Sequence, residues 1–204
     1  MWKIKHKFWA QIFIIYTRYL LGSAFVFASI VKIGGGRFTT ESGELEPIHS
    51  SWHLFETLYA SGLYWKFLGI GQLLAGFLLM TQRFAKLGAV IFFPIILNIF
   101  IITLSYYFAY TPVITGLMLC ANLLLFAWDW NEYKIFFNLR YELDISPRLE
   151  KDMMWQIVGL LLFFLVLLFR TTEGYNFFIL PMICIGIVVT TFLIAWKRQK
   201  KISI

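Results

Sequence analysis

The sequence predicts an all-α, polytopic membrane protein with six transmembrane helices, and three observations carry that expectation. Of its 204 residues, 60% are hydrophobic, 20% aromatic and only 14% charged, with a mean hydropathy of +0.74, far too apolar for a soluble domain of ordinary make-up. The apolar residues gather into six runs, each able to cross a bilayer core, which takes about 20 residues with a range of ~17 to 25. The 18 basic residues lie between and beyond these runs. The net charge of +7 therefore reads as membrane topology rather than as one basic patch, which excludes a nucleic-acid interface.

In chain order the expected spans are Phe8 to Ile33, Leu63 to Met80, Leu87 to Phe108, Val113 to Trp128, Met153 to Phe169 and Tyr175 to Trp196. The first is longer than a signal-peptide core and lacks a small-residue cleavage site, so it is expected to stay as a span. Pro112 suits a helix start, whereas Pro94 and Pro181 fall inside spans and predict kinks. Lys and Arg divide thirteen to three between the two sides, with only Arg37, Lys66 and Arg170 on the poorer side. That bias predicts a multi-pass membrane protein with both termini cytoplasmic. Residues 34–46 form a Gly-rich, acidic outer loop, and a surface helix at about 47–60 carries Trp52, Phe55 and Tyr59 for the aromatic belt. The expected organisation is a four-helix core over residues 1–130, a cytoplasmic loop over 131–152 with a Ser146-Pro147 break, and a peripheral C-terminal hairpin with a basic tail over 153–204.

Four polar residues interrupt the core spans. Arg18, Gln72, Asn98 and Asn122 each fall near the middle of their own span, and each lies on a small or polar helical seam with residues such as Gly22, Gly76 and Thr115. At about 1.5 Å per residue they are expected in one layer, with no carboxylate at that level because Asp129 and Glu56 belong to opposite membrane edges. An arginine at the bilayer centre costs ~2.5 to 3.5 kcal/mol unless paired or hydrated. Two readings follow: the four groups join helices through hydrogen bonds, or they grip the carbonyl or anionic head of a lipophilic ligand such as a quinone.

An outer-edge polar cluster of Lys32, His49, His53 and Glu56 is also expected. His49, His53 and Glu56 at i, i+4 and i+7 would share a helix face, a spacing compatible with three metal ligands, but two interfacial histidines with a Glu56 to Lys32 ion pair is the simpler reading and no metal is assigned. Cys120 and Cys184 lie in separate apolar runs without CxxC spacing and read as buried small residues. All three histidines lie outside the spans, which argues against a b-type haem. There is no phosphate-binding loop, nucleophile elbow or thiol pair, so no catalytic residue is indicated.

Arg18-Tyr19-Leu20-Leu21-Gly22 followed by Lys32, and Gly69-Ile70-Gly71-Gln72-Leu73-Leu74-Ala75-Gly76-Phe77-Leu78-Leu79 with Arg83, resemble the DoxX-like family of small bacterial membrane proteins over roughly Tyr16 to Trp130. The resemblance implies a four-helix membrane core and a link to respiratory quinone chemistry and oxidative-stress complexes. Two departures stand out: Gln72 occupies a position where many relatives look to have an acid, and the fifth and sixth spans are additional. The expected function is an accessory or quinone-like ligand-binding subunit in the lipid bilayer, beside a membrane or redox partner and with no cofactor of its own unless a quinone. A subunit of a quinone-dependent oxidoreductase and a small-solute or anion transporter are the alternatives.

Overall fold

A computed structural model describes residues 5–140, 148–172 and 178–202 of the chain. All its regular elements are helices: α1 (Phe8–Ile33), α2 (Ser51–Ala60), α3 (Leu63–Met80), α4 (Ala85–Ser105), α5 (Thr111–Trp128), α6 (Met153–Thr171) and α7 (Ile179–Ile202), with short helical turns at Trp130–Tyr133, Lys134–Phe137 and Leu149–Lys151. Six of them, all but α2, are long and apolar enough to cross a membrane. The protein is therefore an all-helical, six-span polytopic membrane protein. Its helix boundaries differ from the sequence expectation at α4, which runs from Ala85 to Ser105 rather than from Leu87 to Phe108, at α5, which starts two residues earlier at Thr111, at α6, which ends at Thr171 rather than Phe169, and at α7, which runs from Ile179 to Ile202. The expected start at Tyr175 and the Ser146-Pro147 break lie outside the described residues.

Local signals set most of the ends. Ser50 Oγ accepts from the backbone N–H of Trp52 at 3.1 Å and caps α2, while Asp152 Oδ1 accepts from Met154 N at 3.0 Å and caps α6. These side chains satisfy donors that a helix start leaves without partners. Pro112 occupies the first turn of α5, where its missing N–H costs nothing. Pro94 stays inside α4. Pro181, in contrast, lies in the first turn of α7, so it begins that helix rather than kinking it. The turn between α3 and α4 is tight enough to hold Gln82 at φ 58°.

Helices α1, α3, α4 and α5 form the central bundle, with α1 and α3 packed most closely. A Cβ placed on Gly76 would lie 2.7 Å from Gly22 O, and one on Gly69 would lie 2.9 Å from Lys32 Cβ. Only glycine permits that approach, the small-residue packing by which membrane helices associate without a hydrophobic driving force. On the other side of α1, Phe25 stacks on Phe92 of α4 with ring centroids 3.7 Å apart, within a buried cluster that includes Leu79, Ile96 and Leu125.

The fifth and sixth spans lie on one flank of the bundle. Helix α6 packs against α1 and α3: Trp155 is wholly buried, its carbonyl accepts from the Tyr19 hydroxyl, and Gly159 faces the Met80 carbonyl so closely that no side chain fits. Helix α7 is held by the Tyr16 hydroxyl donating to Val188 O at 2.9 Å and by Phe192 and Trp196 against Trp9, at 5.3 and 6.4 Å between centroids. The start of α1 and the end of α7 therefore share one face, called here the terminal face. The loop after α1 and the α2 helix lie on the opposite, far face.

Candidate functional site

Arg18 lies ten residues into the 26-residue α1, and its guanidinium meets groups from three other segments. It donates to Asp129 Oδ2 at 2.8 Å, to Gln82 Oε1 at 3.1 Å and to the Glu150 carboxylate. Arg148 Nη1 completes the cluster, donating to Asp129 Oδ1 at 2.9 Å and to Glu150 Oε1 at 3.2 Å. At its edge Lys86 pairs with Glu132, and the Tyr133 hydroxyl donates to Lys86 O at 2.9 Å. Gln11 Oε1 accepts from Leu149 N at 2.7 Å, which fixes the 148–151 segment against α1.

The expectation of an uncompensated Arg18 is thus corrected. The Arg18 and Asp129 side chains are each only 2% exposed, so each charge meets an opposite one where water is excluded, as buried ions require. Burial raises the Asp129 carboxyl above its ordinary value against the pull of Arg18. Burial also works to raise Glu150, but Arg18 and Arg148 outweigh it and hold that carboxyl below the usual carboxylate range. The cluster binds the interior of α1 and the terminal-face ends of α3 and α5 to the segment leading into α6.

The three amides do not join it. Met80 ends α3 beside this layer, and Gln72 lies eight residues away, about 12 Å along the helix axis. Gln72 is 2% exposed, and its Oε1 has no hydrogen-bond partner among the described residues. Asn122 lies seven residues before Asp129 on α5, about 10.5 Å deeper, and its Nδ2 donates to Ala89 O at 3.3 Å. Asn98 is exposed on the outside of α4. The single polar layer expected from span midpoints is therefore replaced by a charged layer at the terminal face and two separate buried amides above it.

The outer-edge cluster is also rearranged. His49 precedes α2 in a turn, so it does not share a helix face with His53 and Glu56. Glu56 is bound by Arg37, with Nη2 at 2.9 Å, and accepts from Gly43 N at 3.1 Å. The Arg37 hydrogen bonds hold its carboxyl below the ordinary value. Lys32 makes no pair with Glu56. It donates to Ala28 O at 2.9 Å and stands over the Phe38 and Trp65 rings at 4.8 and 5.0 Å. Among the described residues, no group of three or more His, Cys, Asp or Glu side chains is placed to hold a metal.

A feature that sequence periodicity did not point to lies between α1, α6 and α7. A crevice of about 820 Å³ opens there, with Phe13, Leu20, Phe27, Leu162, Val166 and Val188 among its walls. Tyr16, Thr17 and Ser23 also line it, their hydroxyls donating within the protein to Val188 O, Phe13 O and Met80 Sδ. No single helix shows it, since each wall residue reads as ordinary apolar lipid-facing surface.

Six spans, a closed ion cluster at one face and an apolar crevice on one flank define a small polytopic membrane protein of the all-helical class. No protein-family model matches the chain, and no solved structure does. It is 31% identical over 136 residues to a Bacillus subtilis (strain 168) protein described as the uncharacterized protein YwoB, a match covering 64% of this chain and 84% of that one. The chain belongs to the same family as YwoB.

Proposed function

We propose that this protein binds a membrane-dissolved lipophilic molecule, a quinone or a molecule of similar shape with a long apolar tail, in the crevice between α1, α6 and α7. The observation that carries the reading is the crevice itself, whose volume of about 820 Å³ lies within the range of small-molecule sites, roughly 300 to 1,000 Å³. Its walls are mostly apolar, as those of such sites are. In this reading Arg18 belongs to the scaffold and the additional spans supply the binding surface. The resemblance to the DoxX-like family supports placing the protein in the bacterial inner membrane as an accessory subunit beside a redox partner that carries the electron-transfer group, and the Lys and Arg bias supports both termini being cytoplasmic. The transporter alternative drew on an unpaired Arg18, and that charge is paired.

The test is occupancy. Ala24 lines the crevice without any side-chain hydrogen bond, so Ala24→Phe fills it with little other disturbance. A short-chain quinone analogue should raise the thermal midpoint of the natural protein, since a ligand that binds only the folded state stabilises it, and should leave Ala24→Phe unmoved. An equal shift in both proteins would reject the crevice as the site.

A further inference from the structure

We infer that two copies of this protein associate along the outward face of α4, with their Asn98 carboxamides hydrogen-bonded to one another inside the bilayer. The crevice plays no part in this, since α4 does not line it. Asn98 follows Ala85 by thirteen residues and precedes Ser105 by seven, about 20 and 10 Å along the helix axis. It therefore lies within a hydrocarbon core of roughly 30 Å. The residue is exposed, and its carboxamide makes no hydrogen bond with any described residue.

The other polar side chains of α4 are served within the chain. Lys86 pairs with Glu132, the Thr103 hydroxyl meets that of Thr115 at 2.9 Å, and Ser105 Oγ donates to Ile101 O at 2.9 Å. Asn98 is different, and acyl chains offer it neither donor nor acceptor, so its partner must come from another molecule in the membrane. Pro94 adds to the demand on the same face. It is exposed and has no N–H, so the carbonyl of Val90 lacks its i+4 donor.

A second copy of the chain supplies what this face lacks. Leu87, Pro94 and Ile101 recur every seven residues, Asn98 and Ser105 repeat the interval four residues on from Pro94 and Ile101, and all five are exposed. That is the 3-4 spacing of a seam along which two helices interlock, and a single asparagine in such a seam fixes register and the number of partners. Two copies inserted with the same topology are related by an axis along the membrane normal, so their α4 helices run parallel and Asn98 meets Asn98 at equal depth. A carboxamide carries both donor and acceptor, which makes it complementary to itself, as a two-fold interface requires. Lipid head groups lie about 10 Å away along the helix, out of reach of a side chain this short.

Photobleaching of the full chain, carrying one C-terminal fluorophore in lipid vesicles at stepped dilution, tests this. The natural protein should pass from one to two copies as its density in the membrane rises. Asn98→Leu should shift that transition to about tenfold higher density, the loss of two reciprocal hydrogen bonds of the strength usual between membrane helices. Asn98→Gln, which keeps the carboxamide, should lose less. In a background lacking Cys120 and Cys184, Ile101→Cys should join two copies by a disulfide when copper phenanthroline and air supply the oxidant. Leu117→Cys, 66% exposed on α5, should not. The thermal midpoint of the Asn98→Leu monomer in detergent should match that of the natural monomer, because the amide serves nothing in its own chain. Four results overturn the inference. They are a natural protein that stays single at every density, which leaves the face to a different molecule; a dimer that Asn98→Leu leaves unweakened; cross-linking at Leu117→Cys in place of Ile101→Cys; and a lowered midpoint of the Asn98→Leu monomer, which would place the amide's role inside one chain.

Discussion

Arg18 shows how a charge can be tolerated in a chain this apolar: it is surrounded by two carboxylates and an amide oxygen supplied by distant segments. Removing one partner of a buried pair leaves the other charge uncompensated, which costs about 3 to 5 kcal/mol, whereas replacing both by apolar groups is often close to neutral. Arg18→Leu is therefore expected to destabilise the purified protein by about that amount, because Asp129 and Glu150 lose their principal counter-charge. Adding Asp129→Leu should restore part of the loss rather than compound it, because one stranded carboxylate is removed. Chemical unfolding of the four proteins in one detergent measures the cycle, and additive losses would show that the cluster is not a coupled unit. The sequence carried half of this signal. Asn122 and Asp129 stand seven residues apart on one seam, but Arg18 was placed by the midpoint of its own helix. A 26-residue helix runs about 39 Å, longer than the roughly 30 Å core of a bilayer, so its middle need not be the membrane's middle. Glu150 gave no such signal, since nothing in a polar connecting segment reveals which of its acids turns back into the bundle.

The α1–α3 pair depends on glycine, and here the sequence was legible: Gly69, Gly76 and Gly22 already marked small seams, and these are the positions where the two helices touch. Gly76→Val should force α1 and α3 apart, because the first added carbon would meet Gly22 O at 2.7 Å and Val26 Cγ2 at 2.8 Å, and backbone cannot yield as a flexible side chain does. Overpacking of this kind typically costs about 1 to 3 kcal/mol. Gly116→Ala on α5 is the control. Its added carbon would meet only the Phe100 ring, at 3.1 Å, so its thermal midpoint should fall less than that of Gly76→Val. Equal falls would mean that the close α1–α3 approach carries no special weight. Helix α2 was less legible. The i, i+4, i+7 spacing of His49, His53 and Glu56 assumed a helix from Pro47, whereas Ser50 caps the helix and leaves His49 outside. The capping serine was the better guide to that boundary, because it satisfies the first free N–H groups while periodicity alone sets no start.

For the whole molecule, hydropathy was enough to identify six spans, since every backbone polar group in lipid must be satisfied within its own helix. The crevice was not legible in the same way. It arises where α6 and α7 stand off from α1, and the spacing of three helices is a property of their packing, which no one helix encodes. The charge bias predicts that the terminal face is cytoplasmic. Single cysteines at Glu46→Cys and Asn138→Cys, in a background lacking Cys120 and Cys184, should react with a membrane-impermeant reagent from opposite sides, with position 46 labelled in intact cells and position 138 only after lysis. Labelling of both in intact cells would contradict the topology.

The wide sequence separation inside the ion cluster sets an order for biogenesis. The counter-charges of Arg18 follow it by 111 and 132 residues, so at the usual 5 to 20 residues per second the ribosome takes roughly 6 to 26 s to emit them. During that interval the newborn first span holds a bare guanidinium at or near the hydrocarbon. Until the acids emerge it must rest at the water boundary or within the insertion machinery, and it takes its final depth only when the last third of the polypeptide is being threaded.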